Sequence, residues 1–222
     1  MNQPRTSRAI LAMAVLAFFL PSFALAAKND DSGKGGKPLR VAILPFVNST
    51  QEIGATKMMD DVMRDQLKEV SRAIFLMPGD VERILSGLDQ LGKVDLITDR
   101  WAKYRTLDST AVTGLDSLLT VDAILCVKIS EWENHRVPVV GMGQSSATVG
   151  LSFALYDIAT KKLLWSKDPR EQRFGAELDP ATGSANYDET GVIQRKSDNQ
   201  PPRYEAVAGD LVRDAFKKFP QK

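Results

Sequence analysis

Asp122 to Trp132 reads DAILCVKISEW, and Ser146 to Asp157 reads SATVGLSFALYD. In the second stretch Val149, Leu151, Phe153 and Leu155 fall on one side, with Thr148, Gly150, Ser152, Ala154 and Tyr156 on the other. A period of two belongs to the pleat of a strand, and its apolar/polar alternation predicts half-buried antiparallel strands. The Gly-rich connection 133–144 joins the pair as a hairpin. Ala159-Thr160-Lys161-Lys162 then turns the chain into a third strand, Leu163 to Ser166, extending toward Arg173. The second half of the chain is therefore a meander.

Working outward, the first half has a different rhythm. Leu39 to Phe46 (LRVAILPF) is a short apolar run closed by Pro45, the profile of a buried first strand. Thr56 to Ser71 places Met59, Val62, Met63, Leu67 and Val70 at spacings of three and four, which predicts an amphipathic helix. Ala73 to Met77 is a second strand, and Pro78-Gly79-Asp80 reads as a turn whose Asp80 caps a helix from Val81 to Leu91. Helical signals follow over Asp99–Leu107 and Ala111–Leu119. Tyr204, Val207, Ala208, Leu211, Val212, Ala215, Phe216 and Phe219 form a stripe of period 3.6 on a last, sheet-packed helix. The expectation is an α/β fold, a mixed sheet of about five strands packed by helices, with a C-terminal amphipathic helix.

The chain has 222 residues, 43% hydrophobic and 26% charged, a balance that excludes disordered and polytopic classes. Its N-terminus is basic up to Arg8, then apolar for twelve residues from Ala9 to Leu20, and ends in Ala24-Leu25-Ala26. That is the pattern of a secretory signal peptide over 1–26. Twelve helical residues reach roughly 18 Å, short of a hydrocarbon core of about 30 Å, so no transmembrane span is expected after cleavage. Ala27-Lys28-Asn29 follows the cut with no Cys, so the mature protein is expected to be unlipidated and periplasmic or secreted. Lys28 to Pro38 holds no large apolar side chain, and residues 27–38 read as a flexible leader. Residues 39–222 then form one α/β domain with a long irregular loop at 174–201. Long loops of this kind are functional or mobile.

Charge is balanced, 29 Lys+Arg against 28 Asp+Glu, so nucleic acid is not an expected partner. One Cys and one His exclude an internal disulfide and a Cys/His zinc cage, and no metal or cofactor is expected. Cys126 reads as a buried small hydrophobe, and Met58, Met59 and Met63 as core. Asp122, opening an apolar run, reads as a strand-entry residue that satisfies backbone donors. His135 lies in a polar connection, and Asp179, Asp188 and Glu189 lie in the long loop without recognisable spacing. Val137, Val139, Val140 and Met142 make the hairpin tip more apolar than a solvated turn requires. They are, with Tyr187 in the long loop, the candidate partner-binding residues.

Three segments together resemble the CsgG-like and related small outer-membrane lipoprotein families of the bacterial envelope. They are Val41-Ala42-Ile43-Leu44-Pro45-Phe46-Val47-Asn48-Ser49-Thr50, Leu119 to Leu125 with Ile129-Ser130-Glu131-Trp132, and Leu155 to Ser166. Lys161-Lys162 stands where those families have Thr-Gly. The resemblance implies a sandwich like the N-terminal domain of TolB, no enzymatic activity, and an accessory role in envelope machinery with peripheral outer-membrane association. No pair of long amphipathic hairpins is present, so a pore is not implied. The expected function is that of a non-catalytic periplasmic protein that binds an envelope protein, or further copies of itself, in assembly, secretion or cell-wall synthesis. The alternative is a secreted hydrolase using carboxylates of 177–189 with His135, or a small-ligand or glycan sensor built on 174–201.

Overall fold

The two alternating stretches are the longest strands of the protein, β4 (Ala123–His135) and β5 (Ser146–Asp157), and they pair antiparallel. The structure, a computed structural model, describes residues 37–136, 144–175, 186–187, 193–194 and 201–220. The signal and leader expectations, 1–26 and 27–38, lie almost wholly outside the described residues.

Before β4 come β1 (Leu39–Ile43), β2 (Val47–Asn48), α1 (Ala55–Leu67), β3 (Ala73–Leu76), α2 (Pro78–Gly87), α3 (Leu91–Tyr104), α4 (Ser109–Val112) and α5 (Leu115–Leu119). After β5 come β6 (Leu163–Lys167), β7 (Arg170–Phe174), the small ladder β8 (Asn186–Tyr187) with β9 (Ile193–Gln194), and α6 (Tyr204–Phe216). The main sheet runs β3-β1-β4-β5-β6, the expected mixed sheet, with β2 adding to β4 and β7 adding to β5. β1, β2 and β3 join by parallel pairing; β5, β6 and β7 by antiparallel pairing.

Both faces of this sheet are covered. Val41, Ile43, Leu125, Val127, Ile129, Leu151 and Phe153 pack beneath α1 and α6, whose Met59, Met63, Val207 and Leu211 are buried as the stripes predicted. Ala42, Leu44, Ile124, Cys126, Ala154 and Tyr156 pack beneath α2 to α5 against Val81, Leu85, Ile97 and Trp101. The half-buried reading of β5 is therefore corrected: its residues from Ser146 to Tyr156 are buried on both faces. The alternation records size rather than solvent, since the side read as polar carries small groups over which neighbouring elements close. Cys126 is buried as expected, and desolvation pushes its thiol far above the ordinary range.

Local chemistry explains where boundaries moved. α2 begins at Pro78, for which a missing N–H costs nothing in the first turn, so Asp80 is not the cap. It sits within the first turn, paired with Arg83 at 2.7 Å. α3 ends at Arg105, whose φ of 55° stops the helix. Its guanidinium lies 4.9 Å from the Trp101 ring centroid and donates to Ser152 Oγ at 2.8 Å. Tyr156 Oη donates to the Arg105 carbonyl at 3.0 Å. Gly114, at φ 85°, divides the segment expected as one helix into α4 and α5. Asp122 acts as expected, its carboxylate accepting the Arg40 N–H at 3.0 Å. In the β5–β6 turn Lys161 takes φ 59°, and Asp157 Oδ1 accepts both the N–H and hydroxyl of Thr160 at 2.6 Å. The turn thus holds its shape without a glycine.

β4 carries a bulge between Ile129 and Glu131. The extra residue reverses the phase of the strand, so Trp132 joins the face of Ile129 and is buried with it. Opposite the bulge stands Gly150, where an added Cβ would lie 2.8 Å from Ser130 Oγ and 3.1 Å from Glu131 Cβ. We expect Gly150→Val to lower unfolding free energy by about 2 kcal/mol through overpacking, read in urea titrations. A loss under 0.5 kcal/mol, on the order of a neutral surface change, would contradict that packing. A thiol reagent should leave Cys126 unmodified in the native protein and label it stoichiometrically in denaturant.

Candidate functional site

The C-terminal end of β4 defines one end of the sheet, called the upper end here. The β2–α1 loop, the start of β5, the finish of β7 and the first turn of α6 all gather there.

The loop after β2 is built by its own side chains. Ser49 N–H donates to the Ile129 carbonyl at 2.9 Å, tying the loop to β4. Asn48 Oδ1 accepts the N–H and the hydroxyl of Thr50 at 2.9 and 2.7 Å, while Asn48 Nδ2 donates to the Glu52 carbonyl at 2.8 Å. Glu52 Oε1 in turn accepts the Gly54 N–H at 3.1 Å. This is an Asx-type turn, in which a short polar side chain replaces missing backbone partners. Its tip presents Ile53, which is 93% exposed. A large aliphatic side chain held almost wholly in water on a self-bonded loop is apolar area that the core does not use.

Beside the loop, Trp132 and Tyr204 meet at a centroid distance of 5.2 Å. Partial burial, reinforced by the Glu52 carboxylate, pushes the Tyr204 hydroxyl above its ordinary value. β7 contributes Phe174, 54% exposed, opposite Ser146. Arg173 on the same strand joins Glu171 at 2.6 Å and Asp210 of α6 at 2.9 Å, and Asp210 also pairs with Arg213. The Arg173 guanidinium, aided by Arg213, holds the Asp210 carboxyl below the usual range. These ion pairs fasten α6 to β7 on either side of the segment 176–200.

The residues nominated from sequence relate to this end in different ways. Val137, Val139, Val140 and Met142 lie outside the described residues, but their segment leaves β4 at His135 and returns to β5 at Ser146, which pair here. Tyr187 is placed in β8 opposite Ile193. His135 is exposed at the end of β4, and Asp179, Asp188 and Glu189 lie outside the described residues. Ile53 was missed by the sequence reading, although an isolated aliphatic residue within NSTQEIG is a visible signal. Among the described residues no group of three or more His, Cys, Asp or Glu is placed to hold a metal ion. No helix among them is long and apolar enough to cross a membrane.

No protein-family model matches the chain, and no curated protein matches it. Among solved structures it is similar to the lipoprotein GNA1162 from Neisseria meningitidis, with TM-score 0.48 and 16% identity over 65% of this chain and 89% of that one. It is similar to the PelC dodecamer from Paraburkholderia phytofirmans, with TM-score 0.47 and 13% identity over 86% and 95%. The LpoB C-terminal domain from Escherichia coli gives 0.38 and 13% over 61% and 83%. At these scores and identities the likenesses carry no argument about function.

A depressed carboxyl stabilises the fold above its unfolded pKa of about 3.9, and that contribution disappears as pH falls through the lower folded value. Asp210→Asn should therefore cost about 0.5–1 kcal/mol at pH 7, and the difference from the parent should shrink as the pH falls below the unfolded value and close once it passes the lower folded one. Melting temperatures of both proteins across pH 2–7 measure this, and a difference that persists in acid would remove the ion pair as its cause.

Proposed function

We propose that this chain is a non-catalytic, exported protein of the bacterial envelope that binds another envelope protein through the upper end of its sheet. The observation that carries this reading is the Asn48-built loop and the Ile53 side chain it holds in water. A preordered loop loses little conformational entropy on docking, so burial of its apolar tip contributes more of its transfer energy to affinity. Phe174 is a second exposed apolar side chain at this end of the sheet. Trp132 lies tilted against Tyr204, and Arg173 is paired with Glu171 and Asp210, with Glu133 and His135 exposed beside them at the end of β4.

Val137, Val139, Val140 and Met142, in the connection between β4 and β5, and Tyr187, in the connection between β7 and α6, are the further contact residues of this reading. The signal-like N-terminus supports a periplasmic location, with peripheral association at the outer membrane. Assembly, secretion and cell-wall synthesis are the processes such an accessory protein serves, and a second copy of the chain is the self-associating form of the same contact.

The test places a photo-crosslinking amino acid at position 53 and, as a control, at Leu96 of α3, which is 61% exposed, in the full chain expressed in its own envelope. A discrete adduct from position 53 alone is expected. Ile53→Asp should abolish co-purification of the adducted partner while leaving the melting temperature within about 1 °C, since the side chain supports nothing in the core. Equal adducts from both positions, or undiminished co-purification by Ile53→Asp, would overturn the reading.

A further inference from the structure

β7 lies at an edge of the sheet: it pairs with β5, and among the described residues no strand lies on its other side. Its hydrogen bonds fix which groups that edge presents. The Leu151 N–H donates to the Pro169 carbonyl at 2.9 Å, and the Gly175 N–H to the Ser145 carbonyl at 2.7 Å. Both contacts follow the register that sets Gly150 opposite Arg170, so residues 169, 171, 173 and 175 turn their main-chain groups toward β5. Those of Arg170, Gln172 and Phe174 therefore point outward. Pro169 does not guard this edge, because the side on which it lacks an N–H faces β5.

The side chains of β7 read Arg-Glu-Gln-Arg-Phe and are complementary to themselves in reverse. An antiparallel copy centred on Gln172 sets Gln172 against Gln172, Glu171 against Arg173 and Arg170 against Phe174. Its hydrogen-bonded pairs fall at positions 170, 172 and 174, whose N–H and C=O groups face outward to give them. The neighbouring registers fail on charge. Centred on Glu171, the two Glu171 carboxylates oppose each other; centred on Arg173, the two guanidinium groups do. Charges on an edge deter a foreign strand, and here the same charges admit one register of this chain's own sequence.

The ionic groups keep capacity for that pairing. Arg173 reaches Glu171 through Nε and Nη2, at 3.0 and 2.6 Å, and Asp210 through Nη2 at 2.9 Å. Both bonds to Glu171 end on its Oε1. Glu171 Oε2 and Arg173 Nη1 thus have no partner among the described residues, and they are the acceptor and donor that Arg173 and Glu171 of a second copy require. Arg170 holds Glu131 through Nε alone, which leaves the face of its guanidinium for a ring, and Phe174 is half-exposed.

We propose that β7 pairs antiparallel with β7 of a second copy of this chain, about a two-fold axis at Gln172, so that the two sheets join into one. Main-chain bonds at positions 170, 172 and 174 supply the pairing, and the Glu171–Arg173 contacts on either side of the axis fix the register. This contact goes beyond the partner-binding reading and does not use Ile53.

Light scattering on the full chain, expressed with its own N-terminus, should show a mass rising from one chain to two, with a midpoint below about 100 µM. Glu171→Arg and Arg173→Glu should each raise that midpoint at least about tenfold, since each sets like charges across the axis. An equimolar mixture of these two variants should restore the dimer, because each supplies the charge that the other lacks. Gln172→Cys should form a disulfide-linked dimer on mild oxidation, as facing Cα atoms of a hydrogen-bonded pair lie about 5.5 Å apart, while Arg170→Cys should not. Ile53→Asp should change the midpoint less than about twofold. Melting temperatures establish that the charge variants are folded, and where one is not, the parent mass and the position-172 cross-link decide. A parent that stays monomeric to about 300 µM, folded charge variants whose mixture stays monomeric, no cross-link at position 172 or an equal one at 170, or loss of the dimer with Ile53→Asp would overturn the proposal.

Discussion

The structure depends on the burial of β5 on both faces. A strand in that position must pack large side chains on one side and remain thin on the other, and its sequence does both. Val149, Leu151, Phe153 and Leu155 fill the core under α1 and α6, while Ser146, Thr148, Gly150 and Ser152 keep the second face low. Low side chains let long ones cross. Arg105 reaches Ser152 from the end of α3, Gln172 donates to Ser146 at 3.2 Å, and Arg170 joins Glu131 at 2.9 Å beside Gly150. The hydroxyls on β5 thus act as acceptors that hold neighbouring elements in place, which satisfies them in a setting where an unpaired polar group would be costly.

The opposite core is closed by the end of the chain. Phe216 and Phe219 stack at a centroid distance of 5.0 Å, with Phe216 edge-on to Phe153 at 5.5 Å and Trp165 at 5.4 Å from Phe219. Phe75 of β3 joins the same cluster at 5.5 Å. Aromatic contacts from a central strand, both edge strands and the last helix therefore meet in one place, which ties α6 to the whole width of the sheet. Such rings contribute beyond the area they bury when they meet edge to face. This explains why a helix so late in the sequence is as buried as α1.

With both faces covered, what remains for recognition is the ends and edges. The upper end has the more specialised construction: the bulge at Ser130–Glu131 turns Trp132 inward to Tyr204, and the Asn48 loop turns Ile53 outward. One device secures the end of the sheet and the other presents an apolar tip from it. At the opposite end the connection from α1 leads through Arg72 into β3, an edge strand of the sheet.

Much of this was legible in the sequence, because local periodicity is a property of neighbours along the chain. The stripes of α1 and α6, the alternation of β4 and β5, the strand-entry role of Asp122 and the buried state of Cys126 all follow from spacing and residue type. The resemblance through Val41–Thr50 singled out Asn48 without showing what it does. Other features depend on contacts distant in sequence. Trp132 faces inward only because a bulge resets the phase, and no periodicity announces one inserted residue. α3 ends where Arg105 finds Trp101, Ser152 and the hydroxyl of Tyr156, partners drawn from a helix and a strand far apart in the chain. β5 reads as half-buried because alternation reports side-chain size and polarity, whereas solvent exposure is decided by what packs on top. The sequence by itself determined the elements and their inward faces. Only the tertiary structure decided the second buried face, the outward reach of Ile53 and the open edge of β3, since exposure is a relation between elements that no single segment contains.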